Sequence, residues 1–487
     1  MATRARAWLF GCLALLVVLV PVVAVSASQA PAPEHVSADV VSQMPYKEPG
    51  SAAAPLQAGA VTRQAYDLLL DNYVTPPPPG ALLSATVGEL VKRVAERRPG
   101  DLPTVSIAAD ASREDAYMTF STWLDAVSVV LAPVMDRAGL DEMATKALAT
   151  AVAEHHTRYL DPRQNAEHEA WRRGESKYEG IGARLRRPTT VVLEVFDGSP
   201  AAAAGVKIGD RIVAVDGVAV VSDSTENAIN RLRGAPGTSV QVTVERRGEP
   251  APLTLTLVRG EITLPFVKWS VLPRDDGRKI GYIQIRGFPE PSVDEKVGQA
   301  LSELDGRGID GLILDLRGNS GGRIDVGIKV VSRFLQDGII FQQVDRSGRE
   351  RKVSPVPGQY WQRSVPISVL VDGGTASMGE IVSSALQEAG AARIVGTTTA
   401  GSVAGARMYP LANGGALQIT VLTITSGQGR VLNDAGVTPD VKIDLSDDDL
   451  VNGFDSQLES AVKALARPAA PMSLVPFVIP APLERAA

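Results

Sequence analysis

The sequence predicts a multidomain α/β chain, and three stretches of different texture predict it. Helical periodicity dominates residues 61–172, short β-rich runs separated by Gly and Pro fill 173–262, and strands alternate with helices through 263–467. At 487 residues and 45 % hydrophobic composition the chain can bury several cores. In the first stretch "AYDLLLDNYV" and "MATKALATAVAEHHTRYL" carry helical patterns, interrupted by "TPPPPG" and by an insertion around residues 99–140. In the second, "TTVVLEVF", "RIVAVDG", "SVQVTVERRG" and "PLTLTLVRG" read as strands. One helix sits among them near 224–233, started by Asp223 with Glu226 three residues on, a spacing like a capping box. In the third, "KIGYIQIRGF", "GLILDLRGN", "ISVLVDGG" and "RIVGTT" are continuous apolar runs, as strands covered on both faces should be, with helices near 293–306, 324–336 and 378–389 between them. The last of these helices has Ile381, Val382, Ala385, Leu386 and Ala389 as its expected buried stripe.

The ends read differently. "MATRARAWLFGCLALLVVLVPVVAVSASQA" sets Arg4 and Arg6 before an apolar run and then small residues, the layout of a secretory signal, with cleavage expected after Ala27. The run from Trp8 to Val25 is close to the ~20 residues that span a bilayer, so an uncleaved signal would act as a membrane anchor. Residues 28–60 are rich in Ala, Pro and Ser and read as a linker, and 468–487 as a flexible tail. Cys12, the single cysteine, falls inside the signal, so a mature chain would have neither disulfides nor a thiol nucleophile. Export without disulfides points to a bacterial periplasm or cell envelope. A net charge of −6 offers no footprint for nucleic acid, and four histidines, two of them adjacent, do not suggest a metal centre. No metal or organic cofactor is implied, and the sequence names no oligomeric state.

Three motifs carry chemistry. "YEGIGARL" (178–185) precedes "DGSPAAAAGVKIGDRIVAVDGVAV" (197–220). Glycines at 180 and 182 let successive N–H groups converge on an anion, and the following strand edge can accept an added peptide strand. "LILDLRGNSGG" (312–322) is a buried strand ending in a glycine-rich turn. "VDGGTASMGEIVSSALQEAG" (371–390) places Ser377 where a turn becomes a helix, whose free N–H groups and positive dipole end would stabilise an oxyanion. Ser is also a favoured N-cap, so Ser377 reads either as a nucleophile or as a cap.

The pair of motifs at 178–220 resembles the PDZ domain, which implies that Gly180, Ile181 and Gly182 bind a peptide C-terminus. In order, "HHTRYLDP", that domain, "DLRGNSGG", "GGTASMGEIVSSALQEAG", "GVTPDV" and "DSQLESAVKAL" resemble the S41 peptidases, the C-terminal processing or tail-specific proteases, over about Val61 to Leu465. The resemblance implies a ClpP/crotonase-like α/β core with an inserted β-rich PDZ domain that gates access and a helical N-terminal domain. It also implies cleavage of exported proteins near their C-termini. The family's "SASASE" motif falls on residues 375–380 and makes Ser377 the nucleophile, with Met378 and Gly321 or Gly322 supplying oxyanion N–H groups. The family's lysine and glutamine positions hold Ser402 and Ala406 in "TAGSVAGA". A branch of the family uses Ser–His–acid instead; His156 in "EHHTRYLDP" and Asp434 in "LNDAGVTPD" fall at or near its base and acid. Two functions follow as expectations: an exported serine endopeptidase, or an inactive pseudopeptidase that binds peptide C-termini as a scaffold.

Overall fold

A computed structural model describes residues 34–36, 60–96, 101–175, 177–220, 225–263, 265–362 and 365–466. The apolar N-terminal run, most of the linker, Asp223 of the expected cap and the tail lie outside the described residues. After the short strand β1 (Glu34–Val36) come four helices: α1 (Ala60–Asn72), α2 (Pro79–Ala95), α3 (Arg113–Leu131) and α4 (Arg137–Ala151). Ser112 and Asp136 cap α3 and α4 by accepting from the N–H groups of Asp115 and Gly139. The residues around the expected insertion belong to the same core as the rest: Phe120 and Leu124 of α3 pack with Tyr66, Leu69, Leu83 and Leu148.

The helical pattern over "MATKALATAVAEHHTRYL" ends early. The α4 helix stops at Ala151, Ala153 adopts φ 58°, and Arg158–Leu160 forms β2, which is followed by α5 (Pro162–Arg172). Strand pairing overrides helix propensity here, because Tyr159 and Leu160 are buried opposite Leu417 and Ala416 of a long strand described below.

The β-rich unit follows. It comprises β3 (Lys177–Gly180), β4 (Ala183–Leu185), β5 (Val192–Val195), α6 (Pro200–Ala203), β6 (Arg211–Val215), β7 (Val218–Ala219), α7 (Thr225–Leu232), β8 (Ser239–Glu245), β9 (Leu253–Val258) and β10 (Gly260–Thr263). Its main sheet runs β7-β6-β8-β9, and alternation sends Val240, Val242 and Val244 inward onto Ile212, Leu257 and Ala228. The entry and exit strands of the unit, β3 and β10, pair antiparallel, so the chain leaves beside the point where it entered.

The α/β part contains β11 (Val267–Pro273), β12 (Lys279–Ile285), α8 (Ser292–Gly306), β13 (Gly311–Asp315), α9 (Ile324–Ser332), β14 (Phe341–Asp345) and β15 (Glu350–Val353). It continues with β16 (Ile367–Val371), α10 (Met378–Glu388), β17 (Arg393–Gly396), β18 (Gly405–Pro410), β19 (Ala416–Ser426), β20 (Val441–Lys442), α11 (Asp447–Val451) and α12 (Ser456–Ala464). One sheet has the order β11-β12-β13-β16-β17-β20, parallel except for β11. Leu312, Leu314, Val369, Val371 and Ile394 face the core that holds α8, α9 and α10, while Ile313, Leu370 and Val395 face α12. Burial on both faces explains the unbroken apolar runs. A second sheet, β1-β15-β14-β19-β18 with β2 also on β19, carries the helical domain: Leu417 and Ile419 of β19 join that domain's core. The α10 helix lies between layers, and Met378 to Gln387 are all buried; Ala389, expected in its stripe, is exposed beyond the helix end.

Candidate active site

Strands β13 and β16 are parallel neighbours, so the turns after their carboxyl ends lie side by side, where open α/β sheets place their ligands. Hydrogen bonds stitch these turns together. Gly318 N–H donates to Asp372 Oδ1 at 2.8 Å, Thr375 Oγ1 to the Leu316 carbonyl at 2.8 Å and Ala376 N–H to the Asn319 carbonyl at 2.8 Å. Buried Asn319 reaches the Ile285 carbonyl through Nδ2 and accepts Gly321 N–H at 2.9 Å. A Cβ on Gly321 would lie 2.6 Å from Ser377 Cβ, and one on Gly322 would lie 2.4 Å from the Phe288 carbonyl oxygen, so only glycine allows this approach. Gly321 donates to Asn319, whereas the Gly322 and Met378 N–H groups have no acceptor among the described residues.

The conformation of Ser377 separates it from ordinary caps. Ser112, Asp136, Asp161, Ser199 and Ser446 start their helices with φ between −60° and −78° and ψ between 161° and 170°. Ser377 has φ 53° and ψ −120°, a region that costs a non-glycine residue roughly 1–3 kcal/mol and persists only when surroundings enforce it. Those surroundings are visible. Ser377 N–H donates to the Ser402 carbonyl at 2.9 Å and to Glu380 Oε2 at 3.0 Å. Fully buried Glu380 also accepts from Thr399 Oγ1 at 2.5 Å, Gly401 N–H at 2.7 Å and Ser402 N–H at 2.8 Å. One carboxylate thus ties the start of α10 to the loop between β17 and β18.

His156 lies at the same place. Its Nε2 is 3.2 Å from Ser402 Oγ, and the ring is 9 % exposed. The main-chain N–H of His156 donates to Glu154 Oε2, whose other oxygen accepts from Thr420 Oγ1 of β19, so the tight turn before β2 is anchored to the second sheet. Burial lowers the imidazole's pKa, and the charges of Glu154 and Glu380 oppose that shift. Among the described residues no hydrogen bond joins His156 to Ser377. Asp434 is exposed, has φ 61°, accepts from Asn433 Nδ2 at 3.1 Å and donates its N–H to the Gly401 carbonyl at 2.7 Å. Its contacts support the loop, and none reaches the imidazole. Ala406 is exposed on β18.

At the other expected site, the Ile181 and Gly182 N–H groups have no acceptor among the described residues, and β4 pairs only with β5, which leaves one edge open. Gly182 has φ 80°, and a Cβ there would sit 2.2 Å from Ser199 Cβ. A cleft of about 1150 Å³ joins this edge to the turns after β13 and β16, running from Ile181, Leu185 and Leu232 to Arg317, Gly318 and Gly374. Among the described residues no cluster of three or more metal-ligating side chains occurs, and no helix is long and apolar enough to cross a membrane.

Sequence reasoning passed over Glu380, Asn319 and the placement of Ser402 against His156. Glu380 had a signal, since Ser377-x-x-Glu380 is itself a capping-box spacing. Asn319 and Ser402 act through contacts distant in sequence.

Residues 279–443 match peptidase family S41, and residues 191–246 match the PDZ domain. The carboxyl-terminal-processing protease of Synechocystis sp. is 31 % identical over 350 residues, 70 % of this chain and 81 % of that protein. The carboxy-terminal processing protease CtpB of Bacillus subtilis is 28 % identical over 338 residues, 69 % of each chain. Among solved structures, the photosystem II D1 C-terminal processing protease aligns with a TM-score of 0.50 and 25 % identity, covering 86 % of this chain and 99 % of its own. On these matches, with its S41 α/β fold and its PDZ domain, the chain belongs to peptidase family S41, among the carboxyl-terminal processing proteases.

Proposed function

We propose that this chain is an exported, active serine endopeptidase that cleaves proteins near their C-termini, with Ser377 as nucleophile and His156 as base. The observation that carries the reading is the Ser377 backbone at φ 53°, ψ −120°, against the extended geometry of the chain's capping residues. A cap needs no such strain. A nucleophile at a strand-to-helix turn gains exposure of its Oγ and proximity to free N–H groups, here those of Met378 and Gly322. His156, kept neutral by burial, is the ionisable group at the site with a base's chemistry, since Ser402 stands where a lysine would. An extended substrate end would add to the β4 edge with its carboxylate at Gly180, Ile181 and Gly182, and its upstream residues would follow the cleft toward Ser377.

A second reading, a pseudopeptidase that only binds peptide ends, is favoured by Ser402 at the lysine position. A fluorophosphonate probe decides between them by intact mass, run beside a lysine-containing relative. One adduct on the wild-type chain that disappears in Ser377→Ala supports the peptidase. No adduct, with the relative labelled, supports the pseudopeptidase. Export is tested separately, by sequencing the N-terminus of the chain recovered from the envelope, where a start at Ser28 is expected.

A further inference from the structure

The β4 edge carries a positive charge that the rest of the chain only partly neutralises. Ile181, Ala183 and Leu185 turn toward the core of the β-rich unit, and alternation sends Arg184 to the opposite face, where it lines the cleft. Its register partner on β5 is Glu194, yet Arg184 Nε lies 3.5 Å from Glu194 Oε2 and makes no hydrogen bond. That carboxylate is held instead by Arg286, just after β12, whose Nη1 donates to Oε2 at 3.0 Å and whose Nη2 donates to Oε1. Two guanidiniums therefore share one carboxylate, and Arg184 has the poorer share. Its Nη1 reaches the turn after β13, so close to Gly318 that a side chain there would collide with it. The acid of the neighbouring turn, Asp372, is engaged by the Gly318 and Gly374 N–H groups. Other arginines of the cleft are paired: Arg317 with Asp315 and Asp455, Arg186 with Asp444 and Asp447. The Arg184 side chain is 31 % exposed, so a partner arriving from the cleft would meet its donors at a site less screened than open surface.

We propose, resting on the reading that a substrate end docks on β4, that Arg184 binds an acidic side chain of that end and makes the cleft select substrates with Asp or Glu at the penultimate or fourth-last residue. A strand added to β4 directs alternate side chains to opposite faces. The last side chain enters the apolar end of the cleft at Ile181, Leu185 and Leu232. The penultimate and fourth-last side chains then emerge on the Arg184 face, between the β4 edge and the turns after β13 and β16. A carboxylate there completes the fork of donors that Glu194, held by Arg286, leaves open, and a planar guanidinium can take it through two parallel bonds. An alanine at that place forgoes the pair, and a lysine meets two like charges with one carboxylate between them.

The test is fluorescence anisotropy of the full chain carrying Ser377→Ala, which keeps peptides intact, with fluorescein-labelled peptides that end in Val and have Glu, Ala or Lys as the penultimate or fourth-last residue. At one of these two places the Glu peptide should bind about 3–5-fold more tightly than the Ala peptide, and the advantage should shrink as salt rises. Adding Arg184→Ala should erase the advantage and leave the Ala peptide's affinity unchanged, Arg184→Lys should keep part of it, and Arg184→Glu should prefer the Lys peptide. Amidating the peptide's C-terminus should weaken binding by the same factor with and without Arg184, because the terminal carboxylate belongs to the Ile181 and Gly182 N–H groups. A loss on amidation confined to chains that keep Arg184 would mean that the arginine holds the terminus itself, and would overturn the proposal. Equal affinity for the Glu and Ala peptides at both places, or a Glu advantage that survives Arg184→Ala, would also sink it and leave the docking reading standing. Failure of every peptide to bind removes both.

Discussion

Removing Glu380 should be costly for a reason visible at one carboxylate. Glu380 is fully buried and satisfies the N–H groups of Ser377, Gly401 and Ser402 and the Thr399 hydroxyl. Buried donors left unpaired cost about 1–3 kcal/mol each, partly recovered by rearrangement. Glu380→Ala is therefore expected to lower unfolding free energy by about 2 kcal/mol or more and to abolish Ser377 labelling, as measured by urea denaturation and intact mass. Full labelling in a folded Glu380→Ala would show that the carboxylate does not hold the nucleophile. The pH profile follows from His156. As the proposed base its competent form is the neutral one, and burial pulls its pKa below the ordinary ~6.5. Labelling should therefore persist as pH falls through 6.5 and decline only below it; a half-maximal point above 6.5 would contradict a buried neutral base. The strand, glycine turn and helix start around Ser377 were legible because they are local patterns. The surroundings of His156 were not, because Ser402 and His156 are 246 positions apart and their contact exists only after the turn before β2 hooks onto β19.

Elements show the same division. Strands β12, β13, β16 and β17 announced themselves by apolar runs that both faces of a covered sheet demand. The second sheet did not: the longest strand, β19, was passed over because its "ALQITVLTITS" gains meaning from partners on three separate strands, β14, β18 and β2. Helix α5 supplies a prediction about stability. His168 stacks on Trp171 at 5.9 Å, and burial first, then the charges of Arg172 and Arg158, lower its pKa to about 4. In the unfolded chain the group titrates near ~6.5, so the unfolded state binds more protons between those values. Stability is then fully present above pH ~6.5 and is lost as pH falls toward 4. His168→Phe should flatten the fall in melting temperature between pH 6.5 and 4.5, measured by calorimetry; an unchanged slope would mean the imidazole is not held neutral. In the PDZ unit, Gly182→Val combines a disfavoured φ of 80° with a collision on Ser199. It should weaken binding of an apolar C-terminal peptide at least tenfold by fluorescence anisotropy, and unchanged affinity would count against the Gly180–Gly182 site.

Across the whole molecule, the proposed peptidase would depend on where the PDZ unit is held when it meets a long substrate. Three side chains of that unit meet one carboxylate of α11: Asp447 pairs with Arg186 at 3.0 Å and Arg211 at 3.2 Å and accepts from Thr189 Oγ1 at 3.1 Å. Beneath them Val191 and Leu193 pack on Leu445 and Leu450, and Gly209 approaches so closely that a Cβ would lie 2.3 Å from the Leu450 carbonyl oxygen. Leu193, Leu445 and Leu450 of this contact also line the cleft, so the contact helps to set the distance between the β4 edge and Ser377. A substrate end captured by the PDZ unit is presented at high effective concentration only while that distance is fixed. Asp447→Ala leaves Arg186 its exposed partner Asp444 but removes the shared anchor, which should weaken docking by about 1–2 kcal/mol, roughly 5–30-fold in the open fraction. Hydrogen exchange should then quicken in 189–193 and 445–451 and stay unchanged in β13 and β16. Gly209→Ala, which acts by collision instead of charge, should have the same signature. Because Ser377 and its loop are untouched, both variants should label with a small fluorophosphonate at the wild-type rate while kcat/KM for a peptide ending in the PDZ ligand falls several-fold. If peptide cleavage were unchanged in both variants while exchange quickened, the PDZ unit would deliver substrate without being held in place, and docking on α11 would serve stability alone.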